Sequence, residues 1–187
     1  MKKENFIFED KLFKIRETRE KDTEIWYKWF NNTEITKHLV RGEIPNTIEN
    51  QKKYRSKYLD GKYKILFSIL SSNNKLIGTC SINILNPTLS RRCEISMLVG
   101  EKKYNTGSLY LNINKWLINY SFNQLGMNSI IATFMENNIV VKKTVEFLGF
   151  KKIGLQRQRF YKDGRFQSNW LYDLLKEDWE KLIDKKK

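Results

Sequence analysis

Across residues 108–125 apolar side chains recur on two helical faces at once. Leu109, Ile113, Trp116, Leu117 and Tyr120 fall on one face, and Leu111, Ile118, Phe122 and Leu125 on another. A surface helix needs one apolar stripe, so this one is predicted to be sandwiched inside the molecule. Gly126 follows as its C-terminal stop. Two covering layers must come from the rest of the chain.

The flanking sequence supplies them. A short strand is predicted over residues 11–16, and a helix over 21–31, where Ile25, Trp26, Trp29 and Phe30 recur at helical spacing before Asn31-Asn32 stops it. A second helix follows Pro45, with Asn46 as cap and Glu49 reaching back to it, running through Tyr54 and Tyr58 to Gly61. Residues 63–71 and 75–85 read as a hairpin about the turn Ser71-Ser72-Asn73-Asn74, and 91–99 as the next strand. After the central helix, 129–134 is extended, and Asn137 or Asn138 caps a helix that Gly149 closes. Residues 150–154 and 158–161 are extended, and the Asp163-Gly164 turn leads into a returning strand at 166–175. Segregated antiparallel strands followed by a βαβ unit predict a mixed α/β sheet with helices on both faces. No linker or repeat divides the chain, which reads as one domain over residues 1–187.

Composition narrows the function. The single histidine, His38, and the two cysteines, Cys80 and Cys93, give no metal-ligand spacing and leave a serine-hydrolase triad only one imidazole, so no metal is expected. Both cysteines fall in apolar, strand-like segments, no apolar run reaches membrane-span length, and residues 1–9 are too charged for a secretory signal. These features predict a soluble cytoplasmic protein with reduced thiols. The net charge of +14, from 35 Lys+Arg against 21 Asp+Glu, favours anionic partners. The cations are interspersed with acids, and no nucleic-acid motif or basic stripe accompanies them.

The order of these elements brings a family into view. Residues 93–102 (Cys-Glu-Ile-Ser-Met-Leu-Val-Gly-Glu-Lys), the helix from Ser108, Met135-Glu136-Asn137-Asn138 and Glu146-Phe147-Leu148-Gly149-Phe150 together resemble the core of the GNAT N-acetyltransferases. Residues 29–39 are similar to the substrate-side helices of the branch acting on ribosomal-protein N-termini, polyamines and nucleotide-linked amino sugars. The resemblance implies a mostly antiparallel, splayed central sheet of about seven strands. It also implies acetyl transfer from acetyl-CoA, as co-substrate, to a primary amine. In that reading Met97, Leu98 and Val99 offer a strand edge to the pantetheine arm, and Asn105, Thr106, Gly107 and Ser108 cradle the diphosphate, with Asn138 and Lys143 completing the cofactor set. Glu94 matches a carboxylate that removes the ammonium proton, and Tyr161 is a further catalytic candidate facing the cleft.

The chain also departs from the family pattern. The usual glycine-rich phosphate loop becomes Tyr104-Asn105-Thr106-Gly107-Ser108-Leu109-Tyr110, in which Tyr110 crowds a position of close approach. The tyrosine that commonly protonates the leaving thiolate is replaced by Val145. On the acceptor side, Trp26, His38 and Arg41, with Glu43 nearby, suit a small-molecule amine, and an amino group on a nucleotide-linked sugar for surface glycans is the favoured class. A protein N-terminus and a polyamine are the alternatives, the polyamine disfavoured by the positive charge. A degenerate GNAT fold that binds an anion or a partner without acylating is the non-enzymatic rival. The sequence leaves a homodimer open.

Overall fold

The strands are β1 (Phe8–Glu9), β2 (Phe13–Glu17), β3 (Lys64–Ser71), β4 (Leu76–Asn86), β5 (Arg92–Val99), β6 (Ser129–Met135), β7 (Lys151–Lys162) and β8 (Arg165–Leu175). In this computed structural model, which describes residues 5–39 and 45–185, they form one sheet in the order β1-β2-β3-β4-β5-β6-β8-β7. Every pairing is antiparallel except β5 with β6. The eighth strand beyond the seven expected is the two-residue β1, too short to show alternation. The two extended pieces predicted near 150–161 are one strand, β7, whose register shifts between Gln156 and Phe160. Gln158 takes a positive φ of 50° there and donates its N–H to Ser168 Oγ.

The helices are α1 (Asp22–Phe30), α2 (Thr33–Thr36), α3 (Ile48–Lys57), α4 (Gly107–Asn119), α5 (Ile139–Phe147) and α6 (Lys176–Asp184). Strand register decides which covers what. Phe67 pairs with Cys80 and Cys80 with Met97, so the three share a face. Trp116 of α4 packs edge-on against Phe67 at 5.1 Å, which puts α4 on that face. Val145 of α5 and Trp179 of α6 join the same core, and the Trp179 indole N–H donates to Asn119 Oδ1 on α4. Thus α4 is enclosed on both sides, as its two apolar stripes predict. It ends in one π-turn, Tyr120–Gln124. The opposite face, carrying Leu66, Ser81, Ser96 and Leu98, is covered by α1, whose Trp26 and Trp29 cluster with Leu76 and Leu98, and α3 lies against α1.

Local chemistry fixes the acceptor-side helices. Thr47, not Asn46, caps α3 by accepting from the Asn50 N–H, while the Asn31 side chain holds the Asn46 backbone, donating to its carbonyl and accepting from its N–H. Asn32 starts α2, a single turn with too few residues to show a period. At the start of α1 the Arg16 guanidinium grips Asp22 through two bonds of 2.7 and 2.8 Å, while Ser68 Oγ and the Arg19 N–H also donate to that carboxylate. Both members of the pair are buried. Cys80 and Cys93 are buried free thiols on one face of adjacent strands, opposite Met97 and Ile84 respectively, hence out of register with each other.

Candidate active site at the divergence of β5 and β6

The β5–β6 ladder is short. It holds only at Arg92–Ser129, Cys93–Ile130 and Glu94–Ile131. Beyond these rungs β5 continues to Val99 bonded to β4 alone, and β6 to Met135 bonded to β8 alone. Two facing strand edges, over residues 95–99 and 132–135, therefore diverge with backbone donors and acceptors that no strand satisfies. Met97, Leu98 and Val99 lie on the first of these edges. Such an edge accepts an extended ligand as an added strand.

Gly100 opens the loop that follows. A side chain there would meet the Trp29 indole at 2.1 Å, so glycine lets α1 seat directly on the end of β5. Glu101 pairs with Lys75, which holds its carboxyl below the usual pKa, with the Trp29 indole acting in the same direction. A 3-10 turn (Lys102–Tyr104) then uses the Asn105 N–H on Lys102 O (3.1 Å), and the Thr106 N–H bonds Tyr104 O (2.8 Å). The Thr106 hydroxyl caps α4 by accepting from the Leu109 N–H. Of the four residues expected to cradle a diphosphate, Asn105 and Thr106 thus spend their amides on the turn. The Gly107 and Ser108 N–H groups remain, at the positive end of a thirteen-residue helix. Nothing lies within 4 Å of where a Gly107 side chain would project, so the approach is open. Lys102 and Lys103 are exposed beside it. Tyr110 is half-buried on α4, where burial pushes its hydroxyl pKa up to about 12. These groups suit a pyrophosphate-bearing thioester: an open strand edge, free helix amides and flanking cations.

Across the divergence, Asn138 caps α5 by accepting from the Val141 N–H at 3.3 Å, and Lys143 is exposed on that helix. Val145 is buried in the core, so no hydroxyl occupies the family's tyrosine position. Tyr161 does not enter the cleft as a buried group. It stands at the end of the β7–β8 hairpin, 61% exposed, its ring edge-on to Phe166.

On the α1 face of the sheet lies a cavity of about 380 Å³, lined chiefly by Trp26, Phe30, Leu39, Tyr54, Lys64 and Ser96. Alternation along β5 puts Glu94, half-buried and on the last paired rung, on the same face as Ser96 and Leu98. Ser96 and Ser81 share a hydroxyl hydrogen bond of 2.7 Å. The Lys64 ammonium donates to the Tyr54 hydroxyl (3.3 Å) and sits over the rings of Tyr54 and Tyr58. Trp26 lines the cavity, is almost fully buried, and its indole N–H has no partner among the described residues. His38 is half-buried, and its Nδ1 has no partner among the described residues. Burial, with the charges of Lys37 and Lys162, holds its pKa below the usual value against an opposing influence of the Asn137 side chain. Arg41 and Glu43 lie outside the described residues.

Sequence reasoning missed Lys64, Tyr54, Phe30 and Ser96 as cavity residues, because only the folded sheet brings β3, β4 and β5 under α1 and α3. A larger open groove of about 1030 Å³ borders Arg16, Asp22 and Leu70, and the open β5 edge does not line it, whereas Met97 and Leu98 line the smaller cavity.

The comparisons with known proteins converge on this geometry. The family model described as an acetyltransferase (GNAT) domain matches residues 15–170. The chain is 27% identical over 174 residues to the uncharacterized N-acetyltransferase YoaA of Bacillus subtilis (strain 168), covering 91% of this chain and 97% of the relative. An uncharacterized N-acetyltransferase of Bacillus licheniformis is 25% identical over 170 residues, 88% of this chain and 93% of its own length. Among solved structures, the spermidine N-acetyltransferase of Vibrio cholerae in complex with CoA and spermine superposes with a TM-score of 0.84 at 16% identity, over 91% of this chain and 99% of that one. A GNAT-family acetyltransferase of Bacillus anthracis gives 0.76 at 20% identity, over 92% and 99%. With its sheet opened between β5 and β6 and helix amides free beside the opening, the chain belongs to the GNAT acetyltransferase family.

Proposed function

We propose that this chain, acting as one domain, acetylates a primary amine on a small anionic molecule, with an amino group on a nucleotide-linked sugar as the acceptor class. The carrying observation is the divergence of β5 from β6 beside a cavity whose single described charged lining residue is Lys64. Lys64 complements a phosphate or carboxylate, and Trp26, Phe30 and Tyr54 complement the apolar body of a ring. Bound acetyl-CoA supplies the activated acetyl group. The β5 edge at Met97 to Val99 holds its pantetheine arm and polarises the thioester carbonyl with a backbone N–H. The amides of Gly107 and Ser108 hold the pyrophosphate. Glu94 takes the ammonium proton, which must leave before nitrogen has a lone pair for attack. No side chain at position 145 protonates the departing thiolate. A free thiol has a pKa of only about 8.5, so this leaving group departs without a dedicated acid near neutral pH.

A polyamine acceptor is the second reading, favoured by the fold shared with the Vibrio cholerae spermidine enzyme. The charge of the cavity opposes it: a polycation would face Lys64 with no carboxylate among the described lining residues. Thiol release measured across nucleotide-linked amino sugars, spermidine and an N-terminal peptide decides between them. The proposal expects the anionic amine to give the highest kcat/KM, and Lys64→Glu to lower it while raising that of spermidine. Preference of the native protein for spermidine would reassign the acceptor, and no thiol release from any amine would overturn the transfer itself.

A further inference from the structure

Lys162 is buried although it adjoins a hairpin turn. Its ammonium donates to three backbone carbonyls, Thr36 O at 2.8 Å, Lys37 O at 2.9 Å and Leu39 O at 2.6 Å. All three donors of the ammonium are used, on the C-terminal end of the single-turn helix α2. A four-residue helix is too short to hold itself in water, and its last carbonyls lack helical partners. The clamp reaches across more than 120 residues of sequence, from the β7–β8 hairpin to the segment leading into the acceptor side. Leu39, whose carbonyl it holds at the shortest distance, lines the cavity.

We propose that Lys162 is a positioning residue for the acceptor: it fixes the end of α2, and through Leu39 the wall of the amine cavity, without touching the substrate. The assignment of this cavity to the acceptor rests on the acetyl-transfer reading above. Lys162→Met keeps the length and apolar stem of the side chain and removes the three donors. The expected result is an acceptor KM raised about tenfold with CoA affinity unchanged, together with faster amide exchange over residues 33–39. Leu39→Ala removes the wall without touching the clamp. If the clamp acts through that wall, the two substitutions combine to less than the product of their separate effects on acceptor KM. Lys162→Arg carries the same comparisons if the Met variant does not fold, since a planar guanidinium cannot reproduce a compact three-carbonyl grip. A lower melting temperature with unchanged acceptor KM would reduce Lys162 to a fold staple and overturn the proposal. Wild-type protein inactive on every amine sinks the acetyl-transfer reading instead. The exchange measurement then decides the clamp by itself: acceleration at 33–39 supports it, and no change overturns it.

Discussion

Gly100→Ala is the smallest change that tests how α1 is seated on the cofactor strand. The added Cβ would stand 2.1 Å from Trp29 Cδ2 and 2.2 Å from Cε2. Carbon atoms rest about 3.5–4.0 Å apart, so the gap must open by roughly 1.5 Å. The indole has little room to retreat. It is 4% exposed and packed in the cluster of Trp26, Leu76 and Leu98. Forcing a methyl into a packed site costs about 1–3 kcal/mol, and a rigid bicyclic ring puts this case near 3. At about 2–4 °C per kcal/mol for a chain of this size, Tm falls by about 6–12 °C. Affinity for CoA should fall as well, because Gly100 opens the loop that leads to Gly107 and Ser108. Gly154→Ala is the control, since nothing lies within 4 Å of its Cβ position and its φ is not positive. Thermal melts of both variants, with and without CoA, read the difference. Combining Gly100→Ala with Trp29→Leu, which removes the clashing ring, should give less than the summed losses. A Gly100→Ala melt within about 1 °C of the Gly154→Ala control would refute the reasoning.

Glu94→Gln should lower kcat about a hundredfold at neutral pH while leaving CoA binding nearly intact, and unchanged turnover would assign proton removal elsewhere. Asp22→Asn takes away the carboxylate charge that the buried Arg16 guanidinium grips through two bonds, which costs about 3–5 kcal/mol and should appear as a large drop in Tm at pH 7. Burial alone would raise the Asp22 pKa, but the hydrogen bonds from Arg16, the Arg19 N–H and Ser68 outweigh it and hold the carboxyl below its usual value. Its contribution is therefore full above the unfolded value of about 3.9 and is lost as pH falls through the depressed folded value. The gap between wild type and Asp22→Asn should close only in that acidic range, and a gap constant with pH would show the pair to be unimportant.

The sheet and its enclosed helix were legible because their signals are periodic. The double stripe of α4 and the strand-like runs at Ile65-Leu66-Phe67 and in β4 and β5 carry their burial in the sequence itself. The divergence of β5 from β6 was available only through the family resemblance, since a strand bonded on one edge has the same composition as one bonded on both. Element ends were harder. Thr47 and Asn46 are equally good caps by chemistry, and the Asn31 contact that commits Asn46 elsewhere is a tertiary fact. The same limit hid Lys162, which adjoins a hairpin turn and looks solvated, and left the exposure of Tyr161 undecided, since the residues that alternate with it along β7 are Arg157 and Arg159 rather than an apolar row. Gly107 is one of the residues that the resemblance assigns to the diphosphate, and folding suits it to that use, because it begins α4 with its amide free and open space before it.

Amide exchange of the intact protein with and without CoA tests the opened edge most directly. The account predicts that CoA slows exchange at the β5 amides among residues 95–99 that face away from β4, and at Gly107 and Ser108, while the amides bonded to β4 stay as they were. Exchange unaltered at these positions in millimolar CoA, or slowed only beside Arg16 and Asp22, would contradict it.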